Sequence, residues 1–289
     1  MYERGAHRWL VLALFLGPSL IGVVLFVAGP IVASLALAFS SWDLLTPPTY
    51  VGLRNFERLS RDVEFWAALR HTVTFLAGYV PLVLVSGLAV AVALNGRVPA
   101  RGVFRAIYFL PVVTSWVAVA LVWKWLLNPH FGLVNAWLAQ VGIQGPAWLF
   151  DPSWAMASVI LTSIWKDTGF VMVILLAGLQ GIPRVYYEAA SIDGASRAQL
   201  LRHVTVPLLA PAIFFALTIS LINSFQVFDQ VYVMTGGGPA GATTVLVERI
   251  VKQAFSFSRM GYAAAMSWVL FVLIFVTTFA FSRVQRRWT

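Results

Sequence analysis

Six stretches of this chain, at residues 9–38, 71–94, 104–127, 154–178, 207–228 and 262–282, are apolar over lengths that suit a lipid bilayer. A helix needs about 20 such residues to cross a hydrocarbon core of roughly 30 Å. Backbone N–H and C=O groups must satisfy one another inside lipid, so each run is expected to be helical. The composition agrees, with 60% of the 289 residues hydrophobic and only 11% charged. The expected fold is an all-α integral membrane protein of six transmembrane helices, read as one domain over residues 1–289. Arg4 and Arg8 precede the first run, as they would a signal peptide. Its apolar stretch is about twice the longest signal core of ~15 residues, so it is read as an anchor. Pro18 and Pro30 are expected to kink or end it.

Charge sets the orientation. With both termini cytoplasmic, the inner side holds Arg4, Arg8, Arg97, Arg101, Arg105, Arg184, Arg197, Arg202, Arg283, Arg286 and Arg287 against Glu3, Glu188 and Asp193. The outer side holds eight basic residues against seven acidic ones. Basic loops are retained on the cytoplasmic side, so residues 179–206 are expected to face the cytoplasm. The net charge of +9 lies mostly beside the apolar runs, which speaks against nucleic acid as a partner.

Several chemistries lack their residues. Cysteine is absent, and the lysines Lys124, Lys166 and Lys252 follow no phosphate-binding glycine pattern. No H-E-x-x-H pair or G-x-S-x-G elbow occurs, and His7, His71, His130 and His203 are scattered. No metal, cofactor or catalytic residue is therefore expected, nor a soluble domain. Work on a solute would draw its energy from a partner or from an ion gradient.

One hydrophilic insert interrupts the apolar pattern: "EAASIDGASRAQLLRHVTVPLLAP", residues 188–211. Over 183–207 the sequence reads as two short helices joined at a bend. Pro183 suits a first helical position, Gly194 a left-handed turn, and Ser196 a cap for the second helix. Small side chains at Ala189, Ala190 and Ala195 let another surface approach the backbone.

Glu188, Ala189, Ala190, Asp193, Gly194, Ala195 and Pro207 stand at the spacing E-A-A-x-x-D-G-A, with a proline thirteen residues after the glycine. This spacing resembles the EAA loop of ABC importer permeases. The family usually has Phe, Ile and Leu where this chain has Leu201, Val204 and Val206. Further strings, among them "YVGLRNFERL", "FLPVVTSWVAVALVWKWLLNP" and "VFDQVYVMTGGGP", are similar to the carbohydrate-uptake branch, in particular the first of two permeases in maltose-type and glycerol-3-phosphate-type systems. The resemblance implies a type I importer permease whose loop docks on an ATP-binding subunit. It further implies a second homologous permease, two ATP-binding cassette subunits that bind ATP and Mg, and an extracytoplasmic solute-binding protein. Its place would be the bacterial or archaeal cell (inner) membrane, and its cargo a sugar or sugar-like solute.

Polar residues interrupt the spans on either side of the loop. The fourth reads "LTSIWKDTGF", with Ser163, Lys166, Asp167 and Phe170 at helical offsets. The fifth reads "SLINSFQVFDQ", with Ser220, Asn223 and Ser224 on one face, then Gln226 and Asp229. A charge at mid-bilayer costs roughly 2.5–3.5 kcal/mol on insertion scales, so such groups face a bundle interior. The resemblance implies sugar contacts from these two helices. Ser163 and Ser220 serve equally as sugar contacts or as links between helices, the latter at about 0.6 kcal/mol apiece, and Ser224 is a further candidate contact. Asn223 and Phe170 suit a polyol with apolar ring faces. Lys166 and Asp167, adjacent and about 100° apart on a helix, are expected to pair with other helices rather than with each other. Gly236, Gly237, Gly238 and Pro239 cannot continue a helix and are expected to form a loop at the outer mouth, either a plain turn or a surface near the binding protein.

The rival reading is an ion-coupled secondary carrier using Lys166, Asp167 and Asp229. The bent cytoplasmic loop and the lack of a visible inverted repeat count against it. A lipid-modifying enzyme would need a catalytic pair, and none is apparent.

Overall fold

The computed structural model of the chain describes residues 4–96 and 99–285. Glu3, Arg97, Arg286 and Arg287 of the charge count lie outside the described residues. In chain order the helices are α1 (Arg4–Val23), α2 (Gly29–Ala38), α3 (Arg54–Arg61), α4 (Val63–Asn95), α5 (Arg101–Val113), α6 (Trp116–Leu126), α7 (Leu133–Gln140) and α8 (Pro152–Gln180). They continue as α9 (Arg184–Ile192), α10 (Arg197–Leu200), α11 (Val206–Leu208), α12 (Ala210–Phe225), α13 (Asp229–Met234), α14 (Leu246–Val251) and α15 (Met260–Gln285). A two-residue ladder pairs Ser40 with Tyr50 and Ser41 with Thr49, a small departure from an all-α chain.

Among the described residues four helices are long and apolar enough to cross a membrane: Trp9–Ala38, Val63–Asn95, Pro152–Gln180 and Met260–Arg283. Two bent pairs add a fifth and sixth if each counts as one span. These are Arg101–Val113 with Trp116–Leu126, bent by 99°, and Arg197–Leu208 with Ala210–Phe225, bent by 70°. The third run, expected as one helix over 104–127, therefore breaks at Thr114–Ser115. Pro111 in the last turn of α5 has no N–H to donate, and Thr114 is already extended at ψ 140°.

Prolines act differently from expectation in the first run. Pro18 sits inside α1 without ending it. Ahead of Pro30 the helix widens into a π-turn over Val24–Ala28, and the Gly29 N–H bonds to the Val24 carbonyl. The same device precedes Pro207, where Leu201–Thr205 is a π-turn and the Val206 N–H bonds to Leu201 O. The wider turn accommodates a ring that would clash inside a regular α-helix, so the chain stays helical.

The chain divides into two compact units, Met1–Asp62 with Ile250–Val269, and Val63–Arg249 with Leu270–Thr289. In the first, α1 exposes Trp9, Phe15 and Leu20, as befits a helix whose solvent is lipid. Asn55 of α3 donates 2.9 Å hydrogen bonds from Nδ2 to the Ala38 and Ser40 carbonyls, which fixes α3 against the ladder. Tyr262 donates a 2.6 Å bond to Asp62, and the Arg58 guanidinium lies 4.8 Å above its ring.

In the second unit α4, α8 and α12 share a core that includes Phe75, Tyr79, Val83, Val159, Met172, Leu175 and Leu209. α8 begins sharply because Asp151 accepts from the Ser153 N–H at 2.8 Å and Pro152 opens the helix. A Cβ at Gly169 would collide with the Tyr108 carbonyl oxygen, so this glycine lets α5 and α8 meet backbone to backbone.

Candidate functional site

The fifth apolar run is expected to stay helical to residue 228, but α12 stops at Phe225. Gln226, Val227 and Phe228 are non-helical, and α13 starts at Asp229. The Gln226 N–H turns back to the Ile222 and Asn223 carbonyls at 3.3 and 3.2 Å. Irregular backbone within a membrane domain is tolerated where protein buries it or where it borders a watery cavity. Here it borders a cleft of about 560 Å³.

The cleft combines two chemistries. Asn223, Gln226 and Gln230 supply amides, and Phe75, Tyr79, Trp116 and Phe228 supply rings. Phe75 and Tyr79 stack at 5.3 Å with an interplanar angle of 15°. Two carboxyls, Asp167 and Asp229, also line it. Asp167 accepts a 2.8 Å hydrogen bond from the Tyr79 hydroxyl. Lys166 donates instead to the Val112 carbonyl at 3.2 Å and lies 4.8 Å over the Trp116 ring. The two adjacent charges are thus partnered by different helices, as their angular separation requires.

Of the residues singled out in sequence, Asn223, Asp167 and Asp229 meet at this cleft. Ser163, Ser220 and Ser224 are buried and do not line it. Ser163 donates to Val159 O at 2.8 Å and Ser224 to Ser220 O at 2.5 Å, bonds that spend each hydroxyl hydrogen within its own helix. Gln230 of the lining donates from Nε2 to the Ser163 oxygen at 3.5 Å. Phe170 is half-buried on α8 and is not part of the lining. Tyr79, Trp116 and Gln230 escaped the sequence reading. A tyrosine in the middle of an apolar run was the available signal for the first, since a buried hydroxyl needs a partner.

The loop after α8 folds as a bent pair. Pro183 is the cap of α9 rather than its first residue. At the far end Gly194 adopts φ +79°, with Gly194 N–H bonded to Ser191 O and Ala195 N–H to Ala190 O. That double bond pattern closes a helix through a left-handed residue, a role suited to glycine. Ser196 then caps α10 in a reciprocal exchange with Gln199. Tyr187 and Thr205 are joined at 3.2 Å, which ties α9 to the π-turn ahead of Pro207. The outer surface of the bend carries Glu188, Ala189, Asp193 and Gly194, while Ala190 and Ala195 are half-buried. Beside them Ile192 is 86% exposed, an apolar side chain set on a polar bend.

Gly236–Pro239 form the expected loop, between α13 and α14. It is pinned rather than loose: Thr243 donates to Gly238 O at 2.6 Å and Thr244 to Gly237 O at 3.1 Å. The same segment meets α4 through His71 Nδ1 and Thr244 O at 3.1 Å, and through the Leu246 N–H and Thr72 Oγ1 at 2.9 Å.

A capped, exposed bend thus follows α8, and a polar cleft lies where α12 breaks off. Residues 83–289 match the family of binding-protein-dependent transport system inner membrane components. The chain belongs to that family. This permease is 38% identical over 279 residues to the probable ABC transporter permease protein YesP of Bacillus subtilis, covering 95% of this chain and 90% of that one. It is 36% identical over 270 residues to the trehalose/maltose transport system permease protein MalF of Thermococcus litoralis, covering 93% and 91%. Among solved structures it is similar to a chain of a bacterial alginate ABC transporter in complex with alginate pentasaccharide-bound periplasmic protein, with a TM-score of 0.87 and 25% identity over 99% and 97% of the two chains. Membership displaces the ion-coupled carrier considered for Lys166, Asp167 and Asp229, two of which are engaged by Val112 and Tyr79.

Proposed function

We propose that this permease forms, with a second homologous permease, the translocation pathway of an ATP-driven importer of a sugar or sugar-like solute. The observation that carries the proposal is the cleft at the broken end of α12. Asn223 and Gln226 offer neutral donors and acceptors, and Trp116 and Tyr79 offer ring faces. A polyol with apolar ring faces calls for that combination. The maltose and alginate systems among its relatives support the substrate class.

Six spans with both termini cytoplasmic complete the reading. It is supported by one geometric fact: Asn95 and Arg101, flanking the loop after the second expected span, share a second cleft with Gln180 and Arg184 after the fourth. Both loops therefore lie at one end of this unit, as an even number of intervening crossings requires. Two ATP-binding cassette subunits bind ATP and Mg, and one of them docks on Glu188, Ala189 and the Gly194 bend of this chain. This chain holds no cofactor and is not itself an enzyme. An extracytoplasmic binding protein delivers the solute at the Gly236–Pro239 side, across the cell (inner) membrane of a bacterium or archaeon.

Uptake into proteoliposomes holding the complete importer tests this. Uptake should require ATP and the binding protein. Undiminished uptake without ATP, under a held ion gradient, would contradict it.

A further inference from the structure

The second cleft has a chemistry that solute passage does not use. It measures about 640 Å³ and lies where α4 and α8 end and α5 and α9 begin. Arg101 and Arg184, the first residues of α5 and α9, line it together with Asn95 and Gln180, the last residues of α4 and α8. Leu179 and Ile182 close its apolar side. No carboxylate lines it, and among the described residues neither guanidinium makes an ion pair. Glu188, one turn beyond Arg184 on α9, makes none with it either.

From this arrangement we propose that the cleft binds a phosphate ester. Two forked guanidiniums match tetrahedral phosphate oxygens, and the two amides supply further donors. Neither α5 nor α9 has a side-chain cap, so their first N–H groups also remain for an anion. The position names the nearest source. Asn95 and Gln180 close two long apolar spans, the level at which a bilayer turns polar, and basic pockets between spans hold anionic lipid headgroups there. A soluble phosphate reaching the same mouth is the other source. Arg184 opens the helix that carries Glu188 and runs into the Gly194 bend, so an occupant would touch the coupling loop itself.

The proposal is tested on the full-length permease in detergent by native mass spectrometry. It is titrated in separate arms with phosphatidylglycerol, phosphatidylcholine and inorganic phosphate, as wild type, Arg101→Gln/Arg184→Gln and Arg202→Gln. Arg202 is exposed on the same loop but outside the cleft, so it controls for charge alone. Phosphatidylglycerol should be retained by the wild type and by Arg202→Gln. The double variant should bind it about tenfold more weakly or worse, the loss expected when charge-assisted hydrogen bonds are removed. Phosphatidylcholine should bind weakly throughout. Arginine-dependent retention of inorganic phosphate with no preference for the lipid would assign the site to a soluble phosphate. Equal losses in the double variant and in Arg202→Gln, or none in either, would overturn the site. Sugar-stimulated ATP hydrolysis is a separate readout, so such a failure leaves the transport assignment standing.

Discussion

The Tyr79 hydroxyl donates a 2.8 Å hydrogen bond to Asp167 and so links α4 to α8 in the wall of the cleft beside the end of α12. Tyr79→Phe removes the donor and leaves a half-buried carboxyl without it, a loss of about 1–2 kcal/mol. Asp167→Asn keeps an acceptor oxygen and should lose less. Thermal unfolding of the purified variants checks the order, and an unchanged melting temperature in Tyr79→Phe would mean the bond contributes nothing.

Close packing of α5 on α8 depends on Gly169. In Gly169→Ala the new methyl meets the Tyr108 carbonyl, a backbone atom that cannot turn aside, so a loss toward the upper end of roughly 1–3 kcal/mol is expected. Gly78→Ala also crowds a neighbour, but its contact is the tip of Ile160, with Cδ1 at 2.9 Å. That tip can rotate, and alanine gains about 0.5–1 kcal/mol over glycine in a helix. Gly78→Ala should be near neutral in the same unfolding assay, while Gly169→Ala should lower both yield and melting temperature.

At the coupling bend the constraint is backbone conformation, because nothing lies within 4 Å of a Cβ placed on Gly194. Gly194→Val should strain the left-handed turn by about 1–2 kcal/mol and disturb the exposed surface proposed to meet the ATP-binding subunit. Gly194→Asn should be tolerated better. Glu188→Lys reverses a surface charge without touching the fold. In the assembled importer, Gly194→Val and Glu188→Lys should lower ATP-driven uptake more than they lower capture of the solute-loaded binding protein. Normal uptake in both would reduce the loop to a linker.

Much of this was legible in the sequence because it rests on local rules. Residue length and apolarity locate the spans, Gly194 and Ser196 locate the bend and its cap, and the 100° between neighbours separates Lys166 from Asp167. The cleft was not legible, for a physical reason. Its lining comes from α4, α6, α8, the end of α12 and the segments after it, and their meeting is a tertiary fact that periodicity within one helix does not carry. The serines illustrate the limit: spacing puts Ser220 and Ser224 on a polar stripe, yet both are buried away from the cleft, and the Ser224 hydroxyl bonds the Ser220 carbonyl of its own helix. Breaks at Thr114 and Gln226 were hidden too, since neither carries a glycine, and apolar residues continue across both.

Asp151 gives a pH signature outside the spans. Hydrogen bonds from the Ser153 hydroxyl and N–H hold its carboxyl below the usual 3.8. A depressed value in the folded state means the cap stabilises above that pH and is lost as pH falls below it. Asp151→Asn accepts the same backbone bond at any pH. The melting-temperature gap between wild type and Asp151→Asn should therefore shift against the wild type between pH 5 and about pH 3. A constant gap over that range would contradict the cap's charge dependence.

Passage of solute beside the broken end of α12 is tested most directly by ATP hydrolysis of the assembled importer, stimulated by sugar-loaded binding protein. Asn223 is exposed to the cleft and Trp116 gives it a ring face, so Asn223→Ala and Trp116→Ala should each reduce the stimulation. Loss of one neutral hydrogen bond corresponds to about two- to tenfold. A pull-down should still recover every subunit, and basal hydrolysis should stay unchanged. Full stimulation in both variants, with the complex intact, would place the solute elsewhere.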